Sequence, residues 1–163
     1  MTENEYMERI SELWPDSDEV SPEVLALSDE AVQAFPEAPE LWCMRGHLIE
    51  LAPEDYPVPL AEAGNCYRKA AELDPEYADA WESLGYYLDN YDEDLAEAEE
   101  AFRKAVQSGG DADSYIGLAR VLAQKGQKAA ALKVLSAPDC EFAEEQGVLD
   151  MRDEIQEGLW SPE

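Results

Sequence analysis

A phased recurrence restricts this 163-residue sequence more than any other feature. The segment Pro36-Glu37-Ala38-Pro39-Glu40-Leu41-Trp42 is echoed by Pro75-Glu76-Tyr77-Ala78-Asp79-Ala80-Trp81, and Trp42 and Gly46 return as Trp81 and Gly85, 39 residues on. Tyr115 and Ala119 take the same places 34 residues after those. A second signature follows each pair: a small residue, an aromatic or leucine four on, and a small residue three beyond. It reads Ala63-Tyr67-Ala70, then Ala98-Phe102-Ala105, then a frayed Ala131-Leu135-Pro138. Upstream, Val24-Ser28-Ala31 with Pro36 matches Ala63-Tyr67-Ala70 with Pro75, again offset by 39, so a degenerate copy precedes Trp42. A period in the thirties marks supersecondary units that bury their apolar faces only by stacking on their neighbours.

Steps of four and three are helical steps. They place Gly85, Ala98 and Ala105 on facing sides of two helices, where small residues let backbones approach and Trp81 or Phe102 fills the gap. The pattern predicts helices over 3–14, 22–35, 39–51, 59–73, 78–90, 94–107, 111–124, 127–136 and 141–158, with no strand. Prolines break the chain at 52–58, and 15–21 is a second acidic, proline-containing loop. The last helix covers the exposed end of the stack, with Val148, Leu149, Met151 and Ile155 inward and Leu159 and Trp160 folding back onto it.

Trp81-Leu84-Gly85 with Ala98, Phe102 and Ala105, and the punctuation Leu73-Asp74-Pro75, resemble the tetratricopeptide repeat. The resemblance runs over about residues 3–138. It implies an all-α, right-handed solenoid of about four helix pairs, near 3–35, 36–74, 75–109 and 110–138, plus a capping helix near 141–158, all in one domain. Two departures stand out: Arg45 where the family has leucine, and a stretched second repeat, with 21 residues from Trp42 to Ala63 against 16 from Tyr115 to Ala131.

Charge narrows the partners. The sequence carries 39 acidic and 11 basic side chains, a net of -28, with -13 on residues 1–60, -9 on 61–110 and -6 on 111–163. Such a field repels phosphate backbones and anionic lipid, so neither nucleic acid nor membrane is an expected direct ligand. The acidic start, with no apolar run after it, points to a cytoplasmic protein. Cys43, Cys66 and Cys140 are odd in number and widely spaced, which suits buried reduced thiols better than a disulfide frame or a zinc site.

No catalytic constellation emerges. His47 is the only histidine, which removes the usual zinc and Ser-His-Asp arrangements. Ser108-Gly109-Gly110-Asp111 is a helix stop and N-cap, not a phosphate loop. His47 with Glu50 offers one edge of a metal site at most. The run Asp89 to Asp94 lacks the glycine and terminal glutamate of a calcium loop, so it is expected to be a solvated turn with Asp94 capping the next helix. No cofactor, no metal and no enzymatic activity are expected.

The resemblance also implies a concave groove lined by the first helix of each pair. The lining positions are Glu40, Cys43, His47 and Glu50, then Asp79, Glu82, Tyr86 and Asp89, then Asp113, Ile116, Arg120 and Ala123. Six of these are acids and only Arg120 is a base. A clamp for acidic chaperone tails needs bases at these places, so that family activity is disfavoured. A basic protein or peptide is favoured, with Tyr86 and Tyr87 offering cation-π faces and the carboxylates pairing guanidinium. The expected function is therefore an acidic scaffold or chaperone. The alternatives are an inhibitor that neutralises a basic toxin or nuclease, and an acidic surface that serves only solubility or high salt.

Overall fold

The computed structural model describes residues 1–16 and 20–163, so the acidic loop at 15–21 lies partly outside the described residues. Among the described residues there are nine α-helices and no strand: α1 (Glu3–Glu12), α2 (Pro22–Ala34), α3 (Pro39–Glu50), α4 (Ala61–Leu73), α5 (Ala78–Tyr87), α6 (Leu95–Gln107), α7 (Ala112–Gln124), α8 (Lys128–Val134) and α9 (Gln146–Glu157). None of them is long and apolar enough to cross a membrane.

The helix starts are written in the local chemistry. Thr2 and Glu5 form a capping box on α1, and Ser21 caps α2 ahead of Pro22. Pro39 opens α3, where a missing N–H costs nothing. Asp94 and Asp111 cap α6 and α7 by accepting from the amides of Glu97 and Asp113. Between α6 and α7 the chain turns at Gly109, with φ +85°, as the stop signal predicts.

The described residues divide into two compact units, Met1–Ala80 and Trp81–Glu163. In the first, α1 packs on α2, α2 on α3 and α3 on α4. Tyr6, Ile10, Val24, Leu25, Ala31, Leu41 and Leu48 form its core, with Trp14, Phe35 and Trp42 packed at the edge. Each large side chain buried there contributes about 1.5–3 kcal/mol. Gly46 on α3 lies on the ring of Tyr67 on α4, so close that a Cβ would sit 2.5 Å from Cε1.

In the second unit α7 is central and touches α6, α8 and α9. The fully buried ring of Phe102 on α6 is bordered by two glycines, Gly85 of α5 and Gly117 of α7. Val148, Met151 and Ile155 of α9 are buried as predicted, and Leu149 is half-buried. All three cysteines are buried and free.

Three expectations need correction. The last helix begins at Gln146, not near 141. The preceding stretch is held in turns because the Phe142 ring packs on Tyr115 at 5.7 Å and Arg152 takes the carbonyls of Leu135 and Ala143, bonds that a regular helix there would not permit. The helix predicted over 78–90 ends at Tyr87 and widens into a π turn, Leu88–Asp92, closed by Glu93 at φ 52°. Beyond Gly158, Trp160 folds back but Leu159 is 66 % exposed. Gly158 itself adopts φ +86°, the left-handed conformation that turns the chain.

Candidate functional site

Glu82, Tyr86 and Asp89 follow one another by four and three residues, which sets them along one stripe running from α5 into the π turn. On α7, Asp113, Arg120 and Gln124 are seven and four residues apart, steps that also keep to one face of a helix. Cross-links join the two stripes. Ser114, itself fully buried, donates its hydroxyl to Glu82. The Tyr86 hydroxyl donates to the backbone carbonyl of Asp113 at 2.8 Å. Arg120 Nε donates to Asp89 Oδ2 at 2.7 Å, and Gln124 Nε2 donates to the other Asp89 oxygen at 2.8 Å.

The two ends of this face differ in charge. At one end the carboxylates of Glu82, Asp111 and Asp113 come within 4.8 Å of one another. Among the described residues no lysine or arginine pairs with any of them. Burial, then repulsion from Asp111 and Asp113, pushes the Glu82 carboxyl up to about 7, against the downward pull of the Ser114 hydrogen bond. The positive end of α7, which Asp111 caps, offsets only part of this repulsion. These carboxylates are also the one group among the described residues able to share a cation, and three oxygens are about half of what calcium requires.

At the other end, charge is balanced. Asp89 is satisfied by Arg120 and Gln124, and Arg120 Nη2 reaches Asn90 Oδ1 at 3.3 Å. The guanidinium lies 5.2 Å from the Tyr86 ring centre and 5.3 Å from that of Trp160. Tyr86 is further fixed edge-on against Phe102 at 4.8 Å, and its hydroxyl pKa is raised by burial and by the charge of Asp113.

Of the sequence-derived positions, Glu82, Tyr86, Asp89, Asp113 and Arg120 are therefore brought together in the second unit. Glu40, His47, Glu50 and Asp79 belong to the first. Glu50 accepts the Tyr67 hydroxyl at 2.5 Å, and burial raises its pKa. His47 lies edge-on to Trp14 and tilted against Tyr67, with centroids 6.4 and 5.3 Å away, and burial lowers its pKa against the pull of Asp79. Glu40 is half-buried and Asp79 exposed.

The expected role of Tyr87 fails: its side chain is 3 % exposed and its ring lies against Tyr91 at 5.5 Å. The face of Tyr86 is already engaged by the chain's own Arg120. Asp111, Ser114 and Trp160 join the site without having been singled out for it. Asp111 is legible only as a cap, and the approach of Trp160 to Arg120 spans 40 residues with no local signal. The run from Asp89 to Asp94 serves the Arg120 pair, the π turn and the α6 cap. No family model and no curated protein matches this sequence.

Proposed function

We propose that this chain is a tetratricopeptide-type interaction module that holds a basic protein or peptide in a concave groove and catalyses no reaction on it. A glycine seated on an aromatic ring occurs in each unit, Gly46 on Tyr67 and Gly85 on Phe102. That recurrence supports a repeat whose paired helices approach through small residues. Three buried, unpaired thiols favour a reducing compartment, and the cytoplasm is the one proposed.

The observation that carries the basic partner is the carboxylate cluster of Glu82, Asp111 and Asp113, which has no cation of its own among the described residues. Asp89, only a few residues away, has Arg120, so the deficit belongs to one end of the face and not to the whole of it. A lysine or arginine brought from outside would relieve the repulsion from Asp111 and Asp113 that adds to burial in raising the Glu82 pKa. The net charge of -28 would speed its approach.

The test is a titration with a labelled lysine-rich peptide at low and at physiological salt, using the wild type and Glu82→Lys combined with Asp113→Lys. Binding is expected to weaken with salt and to be lost in the double variant. A wild type that binds no basic peptide at low salt, or a double variant that binds as well as the wild type, sinks the reading.

A further inference from the structure

The face shared by α5 and α7 already has an occupant at its balanced end. After Gly158 turns the chain back, the half-buried Trp160 stacks over Arg120, with its indole N–H donated to Glu154 at 2.8 Å. Pro162 passes the turn after α7, 3.5 Å from where a Cβ at Gly126 would lie. Backbone bonds from Leu159 to the Glu154 carbonyl at 3.0 Å and from Ser161 to the Gly158 carbonyl at 3.2 Å hold the turn itself. Leu159 faces solvent and residues 161–163 are exposed. Trp160 is thus kept over Arg120 by the stack itself, by its indole bond to Glu154 and by the backbone bonds of the turn, and no hydrogen bond joins the indole to Arg120 among the described residues.

Arg120 is well suited to such a cover. Its charge is neutralised by Asp89, and its planar guanidinium, placed between Tyr86 and Trp160, offers a flat face to an aromatic ring. The acid end, in contrast, has no cation paired with it among the described residues. Glu82 and Asp89 are seven residues apart, about 10 Å along a helix, which an extended chain covers in about three residues. A ligand lying along the whole face meets carboxylates first and then the Trp160–Arg120 stack.

We infer that the segment Gly158–Glu163 is an intramolecular occupant of this face, and that its partner is a peptide with a lysine or arginine about three residues from an aromatic side chain. The basic residue pairs with Glu82, Asp111 and Asp113, and the aromatic takes the place of Trp160 on Arg120. The inference rests on the basic-partner reading above and adds to it the aromatic requirement and the self-occupied state. The displaced segment acts as a built-in competitor that sets a threshold for binding.

The experiment compares two labelled peptides, one with lysine and tryptophan separated by a two-glycine spacer and one with alanine replacing the tryptophan. Each is titrated into the full chain and into Trp160→Ala and Trp160→Phe, with helical content checked by circular dichroism. Trp160→Ala is expected to tighten the lysine–tryptophan peptide about 5-fold or more. The lysine–alanine peptide should be unaffected, and Trp160→Phe, which keeps the stack, should resemble the wild type. If all three proteins bind both peptides equally, or Trp160→Ala tightens both alike, the aromatic occupant is wrong while the basic-partner reading stands. If neither peptide binds any of the proteins at low salt, both readings fall together.

Discussion

Gly85 on α5 lies flush against the ring of Phe102 on α6: a Cβ at position 85 would stand 2.8 Å from Cε1, well inside van der Waals contact. The ring is fully buried and is pressed by Gly117 as well, so it has nowhere to go. Overpacking of this kind costs about 1–3 kcal/mol, more than the roughly 1 kcal/mol that alanine gains over glycine inside a helix. Gly85→Ala is therefore expected to lower the urea midpoint. Gly147→Ala on α9 is the control, since its Cβ would meet only the flexible end of Ile116 at 3.3 Å. It should leave stability unchanged or raise it slightly. Equal effects from the two would refute the close-approach argument.

Arg45 marks a different kind of packing. Its side chain is only 12 % exposed and donates to Asp29 at 2.7 Å and to Cys66 Sγ at 3.0 Å, with Glu62 at 3.4 Å. Removing it strands Asp29 and Glu62, which are about one-third exposed and so recover water in part, and takes the donor from the buried Cys66. Arg45→Ala is expected to cost about 2 kcal/mol, and Arg45→Leu, which refills the space, about 1 kcal/mol. Chemical denaturation of both variants measures the difference. An alanine variant as stable as the wild type would show that the pair contributes nothing net.

The Glu82 carboxyl gives a pH dependence of defined sign. Its pKa in the fold, about 7, lies above its ordinary value of 4.5, so between the two the folded state binds more protons than the unfolded one. The associated stability is complete below 4.5 and is lost as pH rises through 7. Because Glu82 is partly solvated, the effect is discounted to about 1 kcal/mol. Glu82→Gln should flatten the Tm profile across that window. Affinity for a basic peptide should move the opposite way, rising severalfold between pH 6 and pH 8, as about one tenth and then most of Glu82 is ionised. A pH-independent affinity would remove Glu82 from the contact.

Burial pushes all three thiols above the ordinary cysteine range, Cys66 to about 11 even with Arg45 beside it. At pH 8 the folded protein should react with an aromatic disulfide reagent about 100-fold more slowly than the urea-unfolded chain. Cys140, in the connection between α8 and α9, should react first. Rapid labelling of Cys43 would mean that α3 opens far more often than its buried contacts suggest.

Much of this molecule was legible from residue spacing. Small-aromatic-small steps locate α4 and α6, and the capping residues Asp94 and Asp111 fix helix starts, because both signals act within one or two turns. The features that escaped depend on contacts distant in sequence. The late start of α9 comes from Arg152 and from Phe142 on Tyr115. The loss of Tyr87 as a contact face comes from burial that helical spacing alone does not distinguish from the half-exposure of its neighbour Tyr86. In the candidate site, the stripe positions were those the family resemblance implied, whereas the pairing of Arg120 with Asp89 and the cover of Trp160 are tertiary.

The π turn at Leu88–Asp92 bears on how this stretch tolerates change in chain length. A π turn holds one residue more than an α turn, so α5 ends with a stored insertion that the backbone has absorbed without breaking. Shortening the turn by one residue would rewind it to an α turn and leave the residues on either side near their present directions, because the widening already takes up the extra residue. The stretch is thus a place where the chain can lose one residue with the widened turn, and not the flanking helix, taking up the difference.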